Sequence, residues 1–172
     1  MPVAGTEQRV ERLLAGLERE FGSFDVTVEE TVVPRSAFTD CLRAAESGTL
    51  GGVRAFVRRG GDVLLVRYDA DPEVWDLPGG STARVESYAE TARSRVLEDA
   101  GVRCEPTGVV RVTRQTFALV EGGDGVTGLW VFFEADVDDG ELEAGDHVSE
   151  VAWYDADDLP DAVAPEVADE LE

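Results

Sequence analysis

Apolar residues recur with two different periods along this 172-residue chain, and each change of period marks a new element. Val10, Leu13, Leu14 and Leu17 fall at helical spacing, which predicts an amphipathic helix from Thr6, its cap, to about Phe21. The run DVTVEETVV alternates and predicts a short strand. Pro34 then opens a second helix, PRSAFTDCLRAAESG, which Gly48 ends. VRAFVRR and DVLLVRY, joined around Gly60 and Gly61, predict a β-hairpin. VVRVTRQTFALV, GLWVFFEADV and EVAWYDA add three strands between Gly and Asp turns, and the tail from Ala156 predicts a short helix and a frayed acidic end. Residues 1–49 thus read as an extension of helix, strand and helix before a domain at 50–172. Strands around one central helix give an α/β class with a mixed sheet.

That central helix lies in LPGGSTARVESYAETARSRVLEDAGV, from Leu77 to Val102. Pro78, Gly79 and Gly80 form a loop whose backbone can approach a ligand closely. Ser87 and Glu90 have capping-box spacing, so the helix begins just after Ser87, and Gly101 supplies its left-handed end. Ala89, Ala92, Val96 and Ala100 share one side at about 100° per residue, which is the side that packs on the sheet. Arg95, Glu98 and Asp99 lie together on the adjoining flank. Neighbouring carboxylates on a shielded flank suit a hard cation such as Mg²⁺, which takes one or two carboxylates together with substrate phosphates. In a chain this rich in acids, the competing reading is a solvated face.

The acids change the picture in a second way. Asp and Glu number 37 against 15 basic residues, all of them Arg, for a net charge of −22. Such a field repels phosphate backbones and excludes duplex nucleic acid as a partner. Salt at about 1 M shortens the screening length to about 3 Å and relieves the self-repulsion. A Lys-free, Asp-rich composition is similar to that of salt-accumulating haloarchaea, and acids spread along the whole chain favour a salt-adapted surface over one acidic docking face. The length suits one domain, and an apolar content of 43% supports a packed core. No apolar run reaches the roughly 18 residues of a spanning helix, and the N-terminus lacks a signal core, so the expectation is a cytoplasmic protein without a membrane partner. Cys41 and Cys104 stand too far apart in sequence to suggest a zinc pair, and the single His147 has no nucleophile motif beside it.

The loop and helix resemble the Nudix box, G-x5-E-x7-R-E-U-x-E-E-x-G-U, where U is a bulky aliphatic residue. Gly80, Glu86, Val96, Glu98, Asp99, Gly101 and Val102 stand in register with it. WDLPGG with Trp75 and VAWYDADDLP with Trp153 are similar to the family's flanking segments, so the resemblance covers about Gly51 to Asp161. It implies an α/β/α sandwich and cleavage of the pyrophosphate linkage of a nucleoside diphosphate derivative, with Mg²⁺ or Mn²⁺ activating water. By position it makes Glu98 and Asp99 metal-binding and, with Glu86, catalytic residues, while Gly79, Gly80 and Arg95 fall at the substrate. The departure is the box's Arg-Glu pair, here Ser94 and Arg95, which puts a cation where the family has a metal ligand. Arg95 can reach Glu98 at i+3 and Asp99 at i+4. Glu90 projects too far round the helix to replace the lost acid, whereas Glu141, Glu143, Asp146 and Glu150 offer a base from another loop. Two readings follow: a metal-dependent hydrolase, and a nucleotide-binding or regulatory module with an impaired metal site. Trp75, Phe117 and Trp130 read as packing residues, and the extension offers a surface for a homodimer.

The charge balance generates the first prediction. The melting temperature should rise between dilute buffer and molar KCl, and a flat or falling value would favour a dedicated acidic binding face.

Overall fold

The computed structural model describes the chain except residues 1, 48, 49, 83–86, 124 and 172, with side chains described from Glu7 onward. In chain order the elements are α1 (Pro2–Phe21), β1 (Val26–Val33), α2 (Arg35–Ser47), β2 (Gly51–Arg59), β3 (Asp62–Tyr68), β4 (Gly79–Ser81), α3 (Tyr88–Ala100), β5 (Val102–Leu119), β6 (Val126–Gly140), β7 (Val148–Asp155) and α4 (Pro165–Leu171). The strands form a mixed sheet in the order β1-β5-β6-β2-β3-β7, with β4 on β2. The expected α/β class with an N-terminal helix is therefore what the chain adopts. Among the described residues no helix is long and apolar enough to cross a membrane.

Two boundaries differ most from the sequence reading, while β6 and β7 are longer than their runs by two or three residues at an end. Helix α1 begins at Pro2 rather than at a Thr6 cap. Proline suits a first helical turn, where its fixed φ is already helical and its missing N–H is not needed. Strand β5 begins at Val102, immediately after Gly101, and runs on through Pro106 and Gly108. Its first six residues alternate buried and exposed, with Val102, Cys104 and Pro106 inward. The strand thus starts seven residues before the run VVRVTRQTFALV that predicted it, because this alternation buries three residues on one face.

The residues pack as two compact units. One comprises Met1–Val53, Ser81–Tyr88 and Gly108–Phe132. Here β1 runs parallel to β5, from Val26 opposite Val112 to Val33 opposite Leu119. Among the described side chains Val10, Leu17 and Phe38 are the buried residues of its two helices, while Val28 and Val32 on β1 are exposed. Phe117 and Trp130 pack edge to face at 6.0 Å.

The other unit comprises Arg54–Gly80, Ala89–Thr107 and Phe133–Glu172. Its hairpin pairs Arg58 with Val63 and Arg59 with Asp62, and Gly60 in the turn has φ 61°. β7 adds antiparallel to β3, with an irregularity between Arg67 and Tyr68. Ala89, Ala92, Val96 and Ala100 of α3 are all buried, as their spacing requires. Val96 and Ala100 enter a core with Ala55, Val57, Leu64, Val66 and Val102. Each fully buried valine there contributes about 1.5 to 3 kcal/mol. Ser87 directly precedes α3, at the cap position.

The C-terminal end of α3 is closed by the segment after β6. The Glu143 N–H donates to Ala100 O at 2.8 Å and the Gly145 N–H donates to Asp99 O at 3.1 Å, satisfying carbonyls that a helix end leaves unpaired. This approach requires a glycine, because a Cβ on Gly145 would lie 2.0 Å from Glu98 O. Gly145→Ala should therefore destabilise the protein by about 1 to 3 kcal/mol in molar KCl, read from thermal melting. Gly61→Ala is the control. Its added Cβ meets nothing within 4 Å, so it should stay within about 0.5 kcal/mol. Equal effects would show that the segment is not held against α3.

Candidate active site

The glycine loop, the end of β3 and the flank of α3 meet within the second unit. Its polar groups are organised around Asp99. The Tyr68 hydroxyl donates to Asp99 Oδ2 at 2.6 Å, and the Gly79 N–H donates to the same oxygen at 3.2 Å. Tyr68 also accepts, taking the Gly79 N–H at 3.0 Å and Arg54 Nη1 at 3.3 Å. Arg54 Nη1 donates in turn to Leu77 O at 3.0 Å, and its guanidinium stands 5.4 Å from the Tyr68 ring centre. The Ala55 N–H donates to Pro78 O and the Leu77 N–H to Asp76 Oδ1, so the turn before Gly79 is pinned from both sides.

Burial pushes the Asp99 carboxyl above its ordinary range, against the opposing pull of Tyr68, Gly79, Arg54 and Arg95. Asp76 moves the same way for the same leading reason, with Arg54 opposing. Burial also raises the Tyr68 phenol well beyond its ordinary value, and the Asp99 charge adds to this. A protonated Tyr68 beside an ionised Asp99 is the state that satisfies both groups.

Arg95 lies on the outer side of this cluster. Its Nη1 donates to Glu98 Oε2 at 3.3 Å, the i+3 pairing expected from the sequence. Its side chain also covers the loop, since a Cβ added to Gly80 would stand 3.1 Å from Arg95 Nε. Gly79 and Gly80 are thus brought beside Arg95, Glu98 and Asp99. Glu86 lies outside the described residues. The segment proposed to supply a base is fastened to the end of α3 through the Glu143 and Gly145 amides, and Glu150 pairs with Arg67 at 3.2 Å. Trp75 is buried, packs edge to face on Tyr154 at 5.1 Å and carries the Arg67 guanidinium 4.5 Å from its ring centre, so it serves packing. Cys41 and Cys104 are both free thiols.

Tyr68 and Arg54 were missed in the sequence. Both belong to hairpin strands and read there as ordinary strand residues. Only the pairing of β2 with β3 and the return of α3 bring them to Gly79.

A divalent cation can be tested against this donor set. Among the described residues no group of three or more His, Cys, Asp or Glu side chains is arranged to hold a metal. Glu98 is paired with a guanidinium, and one Asp99 oxygen is occupied by two donors. Glu98 and Asp99 by themselves do not make up a multi-carboxylate metal site among the described residues, and Glu86 lies outside these.

A mixed-sheet α/β domain with a glycine loop feeding a helix defines the class. The model of the NUDIX domain matches residues 49–171, and the chain belongs to that family. No curated protein matches the chain. Among solved structures it is similar to a MutT NUDIX hydrolase from Burkholderia pseudomallei, at 23% identity and a TM-score of 0.56 over 70% of this chain and 94% of that one. It is also similar to a UDP-X diphosphatase, at 18% identity and a TM-score of 0.55 over 99% of this chain and 94% of that one. An ADP-ribose pyrophosphatase from Streptococcus suis aligns at 21% identity and a TM-score of 0.51, over 65% of this chain and 78% of the other. At these identities the structures establish the fold.

The Tyr68 environment generates a pH prediction. The unfolded chain releases a tyrosine proton near pH 10, while folded Tyr68 holds its proton to higher pH. Above about pH 10 the unfolded state therefore binds fewer protons, so stability falls as pH rises through that window. Tyr68→Phe should make the fall shallower without abolishing it, because burial also raises Tyr88, to about 12. Identical alkaline slopes from urea titrations of the two forms would contradict the Tyr68 environment.

Proposed function

We propose that this chain binds the diphosphate of a nucleoside diphosphate derivative at the Gly79–Gly80 loop, with the Arg95 guanidinium supplying the positive charge. The observation that carries this reading is the placement of Arg95 against Gly80 and beside Glu98, at the position where the family motif has an acid. A guanidinium presents several donors in a plane, matches phosphate oxygens, and carries its charge at every working pH. The chain's net charge of −22 opposes any anionic ligand, so a local cation at the loop is what makes such binding favourable. Family membership and the ADP-ribose pyrophosphatase and UDP-X diphosphatase among the similar structures support the ligand class. In this reading the protein is a nucleotide-binding or regulatory module.

One observation favours the second reading, hydrolysis of the pyrophosphate bond. The Arg95–Glu98 pair is exposed, with side-chain exposures of 35% and 63%, and such pairs contribute only about 0 to 1 kcal/mol. Glu98 is therefore not locked away, and Glu86, Glu98 and Asp99 keep every acidic position of the box except that of Arg95. Mg²⁺ or Mn²⁺ is the cofactor this reading would require.

Calorimetric titration with ADP-ribose in molar KCl and EDTA tests the first reading. The unmodified chain should bind, and Arg95→Glu should bind about tenfold or more weakly, because a charged hydrogen bond contributes about 1.5 to 3 kcal/mol. Equal affinity of the two forms would remove Arg95 from the site. Arg95→Glu should also strengthen Mn²⁺ binding. Turnover of ADP-ribose with Mg²⁺ or Mn²⁺ that disappears in Glu98→Gln would establish the hydrolase reading instead.

A further inference from the structure

We infer that Asp99 is the positioning residue of the diphosphate loop, holding Gly79 in its ligand-binding shape without any divalent cation. This rests on the binding reading above and assigns Asp99 a role different from the metal ligation that its place in the box implies. Three observations lead to it. First, Asp99 Oδ2 is engaged by two donors at once, the Tyr68 hydroxyl at 2.6 Å and the Gly79 N–H at 3.2 Å. The shorter bond is charge-assisted and directional, so it fixes the carboxylate facing the loop.

Second, the clamp is triangular. Gly79 N–H lies within hydrogen-bonding distance of both Asp99 Oδ2 and the Tyr68 oxygen, while Arg54 binds Tyr68 and Leu77 O from the far side. Each member is set on a different element: Arg54 on β2, Tyr68 at the end of β3, and Asp99 in the last turn of α3. The amide of Gly79, where β4 begins, is therefore held by side chains from β3 and α3, with Arg54 of β2 holding Tyr68 in turn.

Third, the end of α3 that carries Asp99 is itself anchored, since Gly145 N–H bonds the Asp99 carbonyl and Glu143 N–H bonds that of Ala100. Main chain and side chain of Asp99 are thus both held. The Asp in place of the family's Glu is consistent with the role, because the shorter side chain keeps the carboxylate close to the helix and the loop backbone. Arg95 and Asp99 thus remove two acids of the box in two different ways, one by charge inversion and one by engagement with the loop. Arg95→Glu alone then restores metal binding only in part, and the Asp99 clamp must also open.

Amide hydrogen exchange at Gly79, measured by NMR on the full chain in molar KCl with EDTA, tests the inference. Asp99→Ala should speed Gly79 exchange at least tenfold while the amides of Leu64 and Val66 stay protected, and Asp99→Asn should recover part of the protection. Tyr68→Phe should accelerate Gly79 exchange as well, which keeps the test open if Asp99→Ala fails to fold. ADP-ribose affinity should fall at least fivefold in Asp99→Ala in the same buffer. Unchanged Gly79 exchange in both Asp99→Asn and Tyr68→Phe would overturn the inference. So would Mg²⁺, added in the same salt without EDTA, that slows Gly79 exchange in the unmodified chain and has no effect in Asp99→Asn, because the cation would then be acting through Asp99. If the unmodified chain protects Gly79 yet binds no ADP-ribose, the binding reading fails and the clamp stands.

Discussion

The carboxylate of Asp99 is the point on which the site depends. It bonds both the hydroxyl at the end of β3 and the amide of the glycine loop, and it does so from a helix whose adjoining side is committed to the core. The hydrophobic burial of Val96 and Ala100 sets the rotation of α3. That rotation then decides where the flank residues Arg95, Glu98 and Asp99 emerge, because residues on one helix cannot be turned independently. Packing and polar chemistry are thus coupled through a single rigid element.

Charge imposes the second constraint. With 37 acids and 15 arginines, a cation is scarce and its placement is informative. Several guanidiniums are spent on aromatic faces, with Arg67 over Trp75 and Arg59 at 4.4 Å from the Trp153 ring centre. Contacts of this kind combine dispersion with electrostatics and depend less on the long-range field that salt screens. Arg95 differs in having a glycine backbone beneath it and an exposed carboxylate beside it. An exposed pair of that kind adds little stability, and the proposed role of this guanidinium is to meet the phosphates of a ligand.

The local pattern was enough for much of the architecture. The hairpin around Gly60 and Gly61, the boundaries of α3 and its buried side, and the i+3 contact of Arg95 with Glu98 follow from periodicity, capping and turn chemistry, all of which act over a few residues. The box spacing placed Gly80, Glu98 and Asp99 in one neighbourhood for the same reason. Where the reading stopped short, tertiary packing overrode a local signal. The run VVRVTRQTFALV begins at Val109, yet β5 extends back to Val102, and its inward residues Val102, Cys104 and Pro106 are buried on one face.

What the sequence by itself determined is the class of fold, the register of the box, the charge inversion at Arg95 and the size of the acidic field. Each is a property of residue type and short-range spacing. What only the tertiary structure decided is the assignment of Asp99 to Tyr68 and Gly79, the recruitment of Arg54, and the closure of the α3 end by Glu143 and Gly145. Those contacts join residues far apart in the chain, through strand register and helix rotation. No local pattern encodes them, because a hydrogen bond between distant elements exists only once burial of the core has brought those elements together.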